Sequence, residues 1–254
     1  MNAALVYYLP QRRERGKTEN SWIKHDFAAR VVASQLAAFR CLHPNDRMLL
    51  IDGNAGDGVG VPKRQGDLFE GETLSRPTPQ LMIELAARVG NADVCLCEVN
   101  ARKRASLYSR FGRVPGVIVV ANNSEVWSAI RSDHRHGLWL SDPCGPKGHG
   151  VDHMRTIDRR LPCDFVVIFN ETSTGRIACT HKPNLAWQKS RQLYAPMLEP
   201  QWWLDKLRKR YLARSRLIRQ SSNFGYRVMI ISNYLADAAR REPFDEIIER
   251  GQHA

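Results

Sequence analysis

No apolar run in this chain approaches the roughly 20 residues a membrane helix needs. Leu5-Val-Tyr-Tyr-Leu9 is too short for a signal core, and no basic segment precedes it. A cytoplasmic protein is expected. Cysteine is sparse, six in 254 residues and scattered, so reduced thiols are expected rather than a disulfide framework. Zinc-finger spacing is missing too. Cys179-x-His181 and Cys144…His149…His153 are loose, and Cys95 and Cys97 have no other ligand type beside them. They share one face of an expected buried strand, which favours small core thiols over a metal site. There is no internal repeat and no low-complexity tract.

Acidic residues are also short in supply. Lys and Arg number 38 against 26 Asp and Glu, a formal net charge of +12. That balance favours a polyanionic partner, nucleic acid first; the other reading is a protein that is basic incidentally. At 43% hydrophobic and 25% charged the chain is an ordinary globular one and can bury a core. We read residues 1–20 as a basic arm, on Gln11-Arg-Arg-Glu-Arg-Gly-Lys17, and 21–254 as a single domain.

What is present begins at Met48-Leu-Leu-Ile-Asp-Gly-Asn-Ala-Gly-Asp-Gly-Val-Gly60. A short apolar run bounded by glycines reads as a buried parallel-type strand. The turn from Asp52 to Gly58 offers backbone with few side chains in the way. Two further segments repeat the design: Val94-Cys-Leu-Cys-Glu98, and Leu138-Trp-Leu-Ser-Asp142-Pro-Cys-Gly145. Three strand ends carrying acids and glycines place a ligand at the carboxyl edge of an open α/β sheet. A dinucleotide site would need Gly-x-Gly-x-x-Gly with an acid about 20 residues on. Here Val61 fills the last glycine slot and Glu98 lies too far away. No Gly-Lys-Ser/Thr follows, which excludes a phosphate-binding P-loop.

The turn resembles motif I of class I S-adenosylmethionine-dependent methyltransferases; a glycine-rich turn of another α/β enzyme is the alternative. The resemblance implies a Rossmann-like sandwich. It has a mostly parallel seven-stranded sheet, helices on both faces and an N-terminal helical extension across the cofactor cleft. It implies that Asp52, Gly53, Asn54, Ala55, Gly56 and Gly58 form the S-adenosylmethionine turn. It gives Glu98 the ribose hydroxyls, a suitable pairing of an acceptor-only group with a diol. Asn122 or Asn123, at the end of the Val117–Ala121 strand, would meet the adenine edge; an ordinary turn or helix cap is the other reading.

The fourth strand end is where this family places the methyl acceptor. In amino-methylating DNA enzymes an acid or amide, two prolines and an aromatic hold a flipped base. Asp142 and Pro143 match that motif, while Cys144 and Gly145 depart from it. In cytosine C5 enzymes a Pro-Cys pair supplies a thiolate nucleophile, and Pro143-Cys144 has that pair. Wider similarity points to the bacterial three-Cys-motif partner methyltransferase-like proteins. It rests on Lys24-His25, Ile51 to Gly58, Arg76-Pro-Thr-Pro-Gln-Leu81 and Leu140 to Gly145, with Asn54 and Cys144 in slots those proteins fill with aromatics. It covers the first 145 residues or so.

Periodicity predicts helices over Ser21–Phe39, from Thr78 (as N-cap, with Pro79 first) to Val89, over Arg102–Phe111 and over Trp203–Arg214. It predicts strands at Phe165–Phe169 and Val228–Ser232; the resemblance implies a closing antiparallel strand, which Tyr226–Ser232 would fit. Lys63, Arg64, Lys206, Arg208, Lys209 and Arg210 would track a phosphate backbone, with Trp202, Trp203 and Tyr211 available for base stacking. The basic helix also reads as a solvated amphipathic one. Two other functions fit the chain: a non-catalytic nucleic-acid-binding protein that keeps the fold, and a methyltransferase for a small molecule or a protein.

Overall fold

The computed structural model describes residues 31–33, 35–37, 39–41, 43–59, 77–143, 149–170, 196–207, 213–221 and 224–231. Strands β1 (Arg47–Asp52), β2 (Ala92–Cys97), β3 (Val117–Val120), β4 (His134–Ser141) and β5 (Cys163–Asn170) alternate with helices. The helices are α1 (Thr78–Val89), α2 (Ala101–Phe111), a 3-10 helix (Asn123–Ala129), α3 (Val151–Asp158) and α4 (Pro200–Leu207). Two more strands, β6 (Ala213–Ser221) and β7 (Phe224–Ile231), close the fold. The seven strands lie in the order β3-β2-β1-β4-β5-β7-β6. The first five pair in parallel, and β7 runs antiparallel to both β5 and β6. This is a mostly parallel, Rossmann-like α/β sheet closed by an antiparallel hairpin.

Met48, Leu49, Leu50 and Ile51 are all fully buried, so β1 is covered on both faces rather than on alternate residues. One face packs Leu50, Leu96 and Leu138 against Met82 of α1, Leu107 of α2 and Val31, Leu36 and Phe39. The other packs Ile51, Trp139 and Phe165 against Met154 of α3 and Trp203 of α4. Each such side chain contributes about 1.5–3 kcal/mol on burial. Among the described residues, 31–41 are helical where assigned, and their buried side chains join the first face of the sheet. Most of the helix expected over Ser21–Phe39 lies outside the described residues.

Two sequence expectations are corrected. The helix read as Trp203–Arg214 is described over Pro200–Leu207, and Ala213 and Arg214 belong to the strand Ala213–Ser221. Arg214, Arg216 and Arg219 are spread along its length, and charge suits an edge strand that must not pair further. Thr78 is the first helical residue, not the cap. Pro77 holds the cap position and no side chain caps the helix. Among the described residues no helix is long and apolar enough to cross a membrane.

At the amino edge of the sheet a buried acid organises the strand starts. Asp93 is 2% exposed and accepts hydrogen bonds from Arg47 and from His134 Nε2, the latter at 2.9 Å. His134 Nδ1 accepts the Arg131 N–H at 2.9 Å, which leaves the ring proton on Nε2, pointing at Asp93. A register shift between Arg47 and Met48 swings His134 to this side. Burial pushes the Asp93 carboxyl up. The hydrogen bonds from Arg47 and His134 and the charge of Arg47 outweigh it and hold the carboxyl below the ordinary range.

Removing this acid as Asp93→Ala leaves Arg47 and His134 without their buried partner and should cost about 3–5 kcal/mol by urea denaturation. A depressed carboxylate pKa contributes stability above the unfolded value near 4, lost as pH falls through the folded value. The wild type should therefore lose stability more steeply below about pH 4 than Asp93→Asn does. Parallel pH curves for the two would refute this assignment.

Candidate active site

The site grows from the end of β1. Asp52 is 2% exposed, and its Oδ1 accepts the Asn54 N–H at 3.1 Å, which turns the chain sharply. Gly53 N–H donates to Leu140 O on β4 at 2.8 Å, and Ala55 N–H donates to Cys97 O on β2 at 3.0 Å. The turn is therefore pinned across the carboxyl ends of three strands. Asp57 repeats the device with the Val59 N–H at 3.0 Å, and Ser106 on α2 donates to Asp57 O at 3.0 Å.

The glycines serve different ends. A Cβ on Gly53 would lie 2.5 Å from Trp139 Nε1, so the indole occupies the side-chain space of residue 53. Gly58 (φ +69°) is pressed on α2, where a Cβ would lie 2.7 Å from Phe111 Cε2. Gly56 (φ +67°) has open space where its Cβ would be. Left-handed backbone beside empty volume is a cradle that a ligand can enter.

Glu98 follows β2 directly and is half-buried; its N–H donates to Val120 O at 3.2 Å, and its Oε1 accepts the Asn100 N–H at 2.7 Å. The Ala55–Cys97 hydrogen bond sets this acid beside the glycine turn. Asn122 caps the 3-10 helix: its Oδ1 accepts the Ser124 N–H at 2.9 Å, and its Nδ2 donates to Glu125 Oε1 at 2.8 Å. Its amide is thus committed to the cap. The Oδ1 of Asn123 is buried with no hydrogen-bond partner among the described residues. Asn123 is the better placed of the pair for a ligand edge.

Asp142 and Pro143 are half-buried and follow the last residue of β4. Cys144, Lys63, Arg64, Arg208, Lys209 and Arg210 lie outside the described residues. Lys206 is exposed on α4, with Nζ 5.8 Å from the Trp202 ring centre. Trp203 is fully buried, and its Nε1 donates to Met197 O at 2.8 Å. The expectation that it stacks a base is corrected: it belongs to the core.

Sequence reasoning missed a polar chain next to Asp142. Ser141 is fully buried, with Oγ 2.8 Å from His149 Nδ1 and 3.3 Å from Asn54 Oδ1. The His149 ring lies 4.7 Å from Phe169 and 5.8 Å from Trp203. Burial pushes its imidazole down to about 3. It is neutral, and an Nδ1–H donating to Ser141 lets the hydroxyl donate onward to Asn54. The chain links the glycine turn to the carboxyl end of β4. The only sequence signal was His149 within a loose Cys/His cluster; its partners come from other strands.

Cys95 and Cys97 lie in the core as expected. Burial, then the nearby Asp52 charge, pushes the Cys95 thiol up to about 12; burial, then Cys95 and Asp52, raises Cys97 further. Neither forms a thiolate near neutrality. Among the described residues no group of three His, Cys, Asp or Glu side chains could hold a metal ion.

No protein-family model matches the chain, and no curated protein does. Solved structures do. The protein LPL1258 from Legionella pneumophila superposes with a TM-score of 0.56 at 13% identity, over 94% of each chain. The N-methyltransferase NodS from Bradyrhizobium japonicum gives 0.44 at 10%, over 84% of this chain and 96% of that one. An rRNA methylase from Streptococcus thermophilus gives 0.40 at 12%, over 83% and 94%. At these identities the likeness is one of fold.

Two measurements test the geometry. Gly53→Ala drives a methyl into the Trp139 indole and should cost about 1–3 kcal/mol in denaturant titration; a neutral result would show that the indole moves freely. His149 is neutral when folded, whereas the unfolded chain binds its proton below about pH 6.5. Its contribution is complete above that pH and lost as pH falls, with a slope of up to about 1.4 kcal/mol per unit. His149→Phe should flatten the stability profile between pH 6.5 and 4. An unchanged slope would place the ring in water.

Proposed function

We propose that this chain is an S-adenosylmethionine-dependent methyltransferase acting on a DNA or RNA base, with a cytoplasmic location. The observation that carries the enzyme reading is an open left-handed Gly56 beside half-buried Glu98, their chain neighbours Ala55 and Cys97 being joined by a backbone hydrogen bond. The donor set suits the cofactor. Gly53 to Gly58 would lie against its methionine portion, Glu98 would accept hydrogen bonds from the ribose diol, and Asn123 would face the adenine edge. Bound there, the cofactor supplies a methyl group on an electron-poor sulfur.

The chain's own residues then align the acceptor and exclude water. Asp142 accepts a hydrogen bond from the acceptor group and orients it. The Pro143 carbonyl offers a second acceptor. The net charge of +12 supports a polyanionic substrate. Within class I, the motifs at Ile51–Gly58 and Leu140–Gly145 favour kinship with the three-Cys-motif partner proteins.

Incubation with radiolabelled S-adenosylmethionine and separate DNA, RNA and protein fractions, followed by nucleoside analysis, tests this. Label is expected in a nucleic-acid base. Asp142→Asn should abolish transfer while keeping cofactor affinity. Glu98→Ala should weaken cofactor binding by about 10–100-fold, the worth of hydrogen bonds to a charged group. Label confined to protein or small molecules would overturn the substrate. No calorimetric binding of the cofactor would overturn the enzyme and leave a nucleic-acid-binding protein of this fold.

A further inference from the structure

Helix α2 sets a run of cations against the positive end of its own dipole. Residues 101–116 contain Arg102, Lys103, Arg104, Arg110 and Arg113 and no acid. Three of these cations sit in the first turn, with no acidic residue among them. A helix N-terminus is the positive end of its dipole, and cations there oppose it. Asn100 caps the turn by accepting the N–H groups of Arg102 and Lys103 at 3.0 and 3.1 Å, so the helix forms in spite of the charge.

Some other described arginines have acids beside them. Arg155 pairs with Asp152 at 3.0 Å, Arg131 with Asp133 at 3.1 Å and Arg135 with Asp46 at 3.8 Å. Arg102 and Arg113 are exposed and have no ion-pair partner among the described residues. Arg104 is used structurally, donating to Glu98 O at 3.0 Å and Val99 O at 3.3 Å. Leu107 and Phe111 hold the inner side of the helix on the sheet. Its outer side shows Arg102, Ala105, Tyr108 and Ser109, with Tyr108 65% exposed. The small Ala105 leaves the tyrosine ring uncovered on the side toward Arg102.

We infer that the outer side of α2, from Arg102 to Arg113, is the surface on which a nucleic-acid backbone docks. The inference rests on the reading that the acceptor is a nucleic acid, and it places the contact on α2 in addition to the basic segment after Trp203. Guanidinium groups and the Ser109 hydroxyl donate to phosphate oxygens, and an exposed tyrosine ring offers a face to a base or sugar. Arg102 to Arg110 spans about 12 Å of helix axis, the axial length over which a duplex presents three or four phosphates of one strand, at about 3.4 Å each. The helix begins three residues after Glu98, so a strand lying on it ends at the candidate cofactor site. An acidic polypeptide would satisfy the charges but gives the exposed ring no base to stack on.

The test is fluorescence anisotropy of the full chain with labelled single-stranded and duplex DNA and RNA across a salt series. The triple variant Arg102→Ala/Lys103→Ala/Arg113→Ala should bind at least about 10-fold more weakly at 0.1 M salt, and its log–log salt slope should fall by about 2–3. Its calorimetric affinity for S-adenosylmethionine should not change. Arg102→Glu should bind nucleic acid more weakly and yet melt about 1–3 °C higher, because the dipole conflict is relieved. Wild-type binding with an unchanged slope in the triple variant would overturn the α2 surface and leave the nucleic-acid reading standing. No wild-type binding to DNA or RNA at low salt would overturn both. Equal competition by polyglutamate would overturn the occupant. A lower melting temperature for Arg102→Glu would show that the cation serves the fold and not a partner.

Discussion

The indole of Trp139 lies where a side chain at position 53 would be, and the geometry of the site follows from that contact. Because Gly53 has no Cβ, β1 can leave the sheet flat against β4, with its N–H still bonded to Leu140 O. The next residues cross to β2, where the Ala55 N–H reaches Cys97 O. One close contact thus sets the glycine turn over two neighbouring strand ends and brings Glu98 to its rim. With Gly58 packed on Phe111 and Ser106 holding Asp57 O, the turn is held from below and from one side. Among these glycines Gly56 is left facing open space. A rigid turn with one open position is the arrangement that binds a ligand without first having to be ordered.

The two edges of the sheet use polar groups in opposite ways. At the amino edge, Asp93, Arg47 and His134 satisfy one another, and the cluster closes the strand starts. At the carboxyl edge, Asp142 and Glu98 remain half-buried, and Asn123 keeps a buried oxygen without a partner among the described residues. Between them the neutral His149 and Ser141 join the turn to the end of β4. In the proposed reaction donor and acceptor must be held in line, and the contacts from Asn54 through Ser141 to His149 would fix the glycine turn against the end of β4.

Much of the central sheet was readable in sequence because its strands are short apolar runs ending in acids and glycines. Leu138–Ser141 and Phe165–Phe169 stand out against their neighbours, and an antiparallel strand near Tyr226 fits the end of the chain. The segment after Trp203 misled because its many charges resemble the outer side of a helix. Its β structure is decided by pairing with β7, a contact with no local signature. The roles of Asn122 and Asn123 could not be separated in sequence, since adjacent amides carry the same chemistry. The 3-10 turn separated them by taking one as its cap.

The order of residues alone determined that the chain builds a parallel α/β sheet with an acid-and-glycine carboxyl edge, because covering both faces of a strand demands unbroken apolar runs. It also determined the excess of positive charge. The tertiary structure decided which groups act together. Trp139 meets Gly53, Ser141 meets His149 and Asp93 meets His134 through hydrogen bonds and packing between segments that the chain order does not pair. Such contacts depend on register and on the left-handed turns that aim each side chain, and neither is visible in a string of residues.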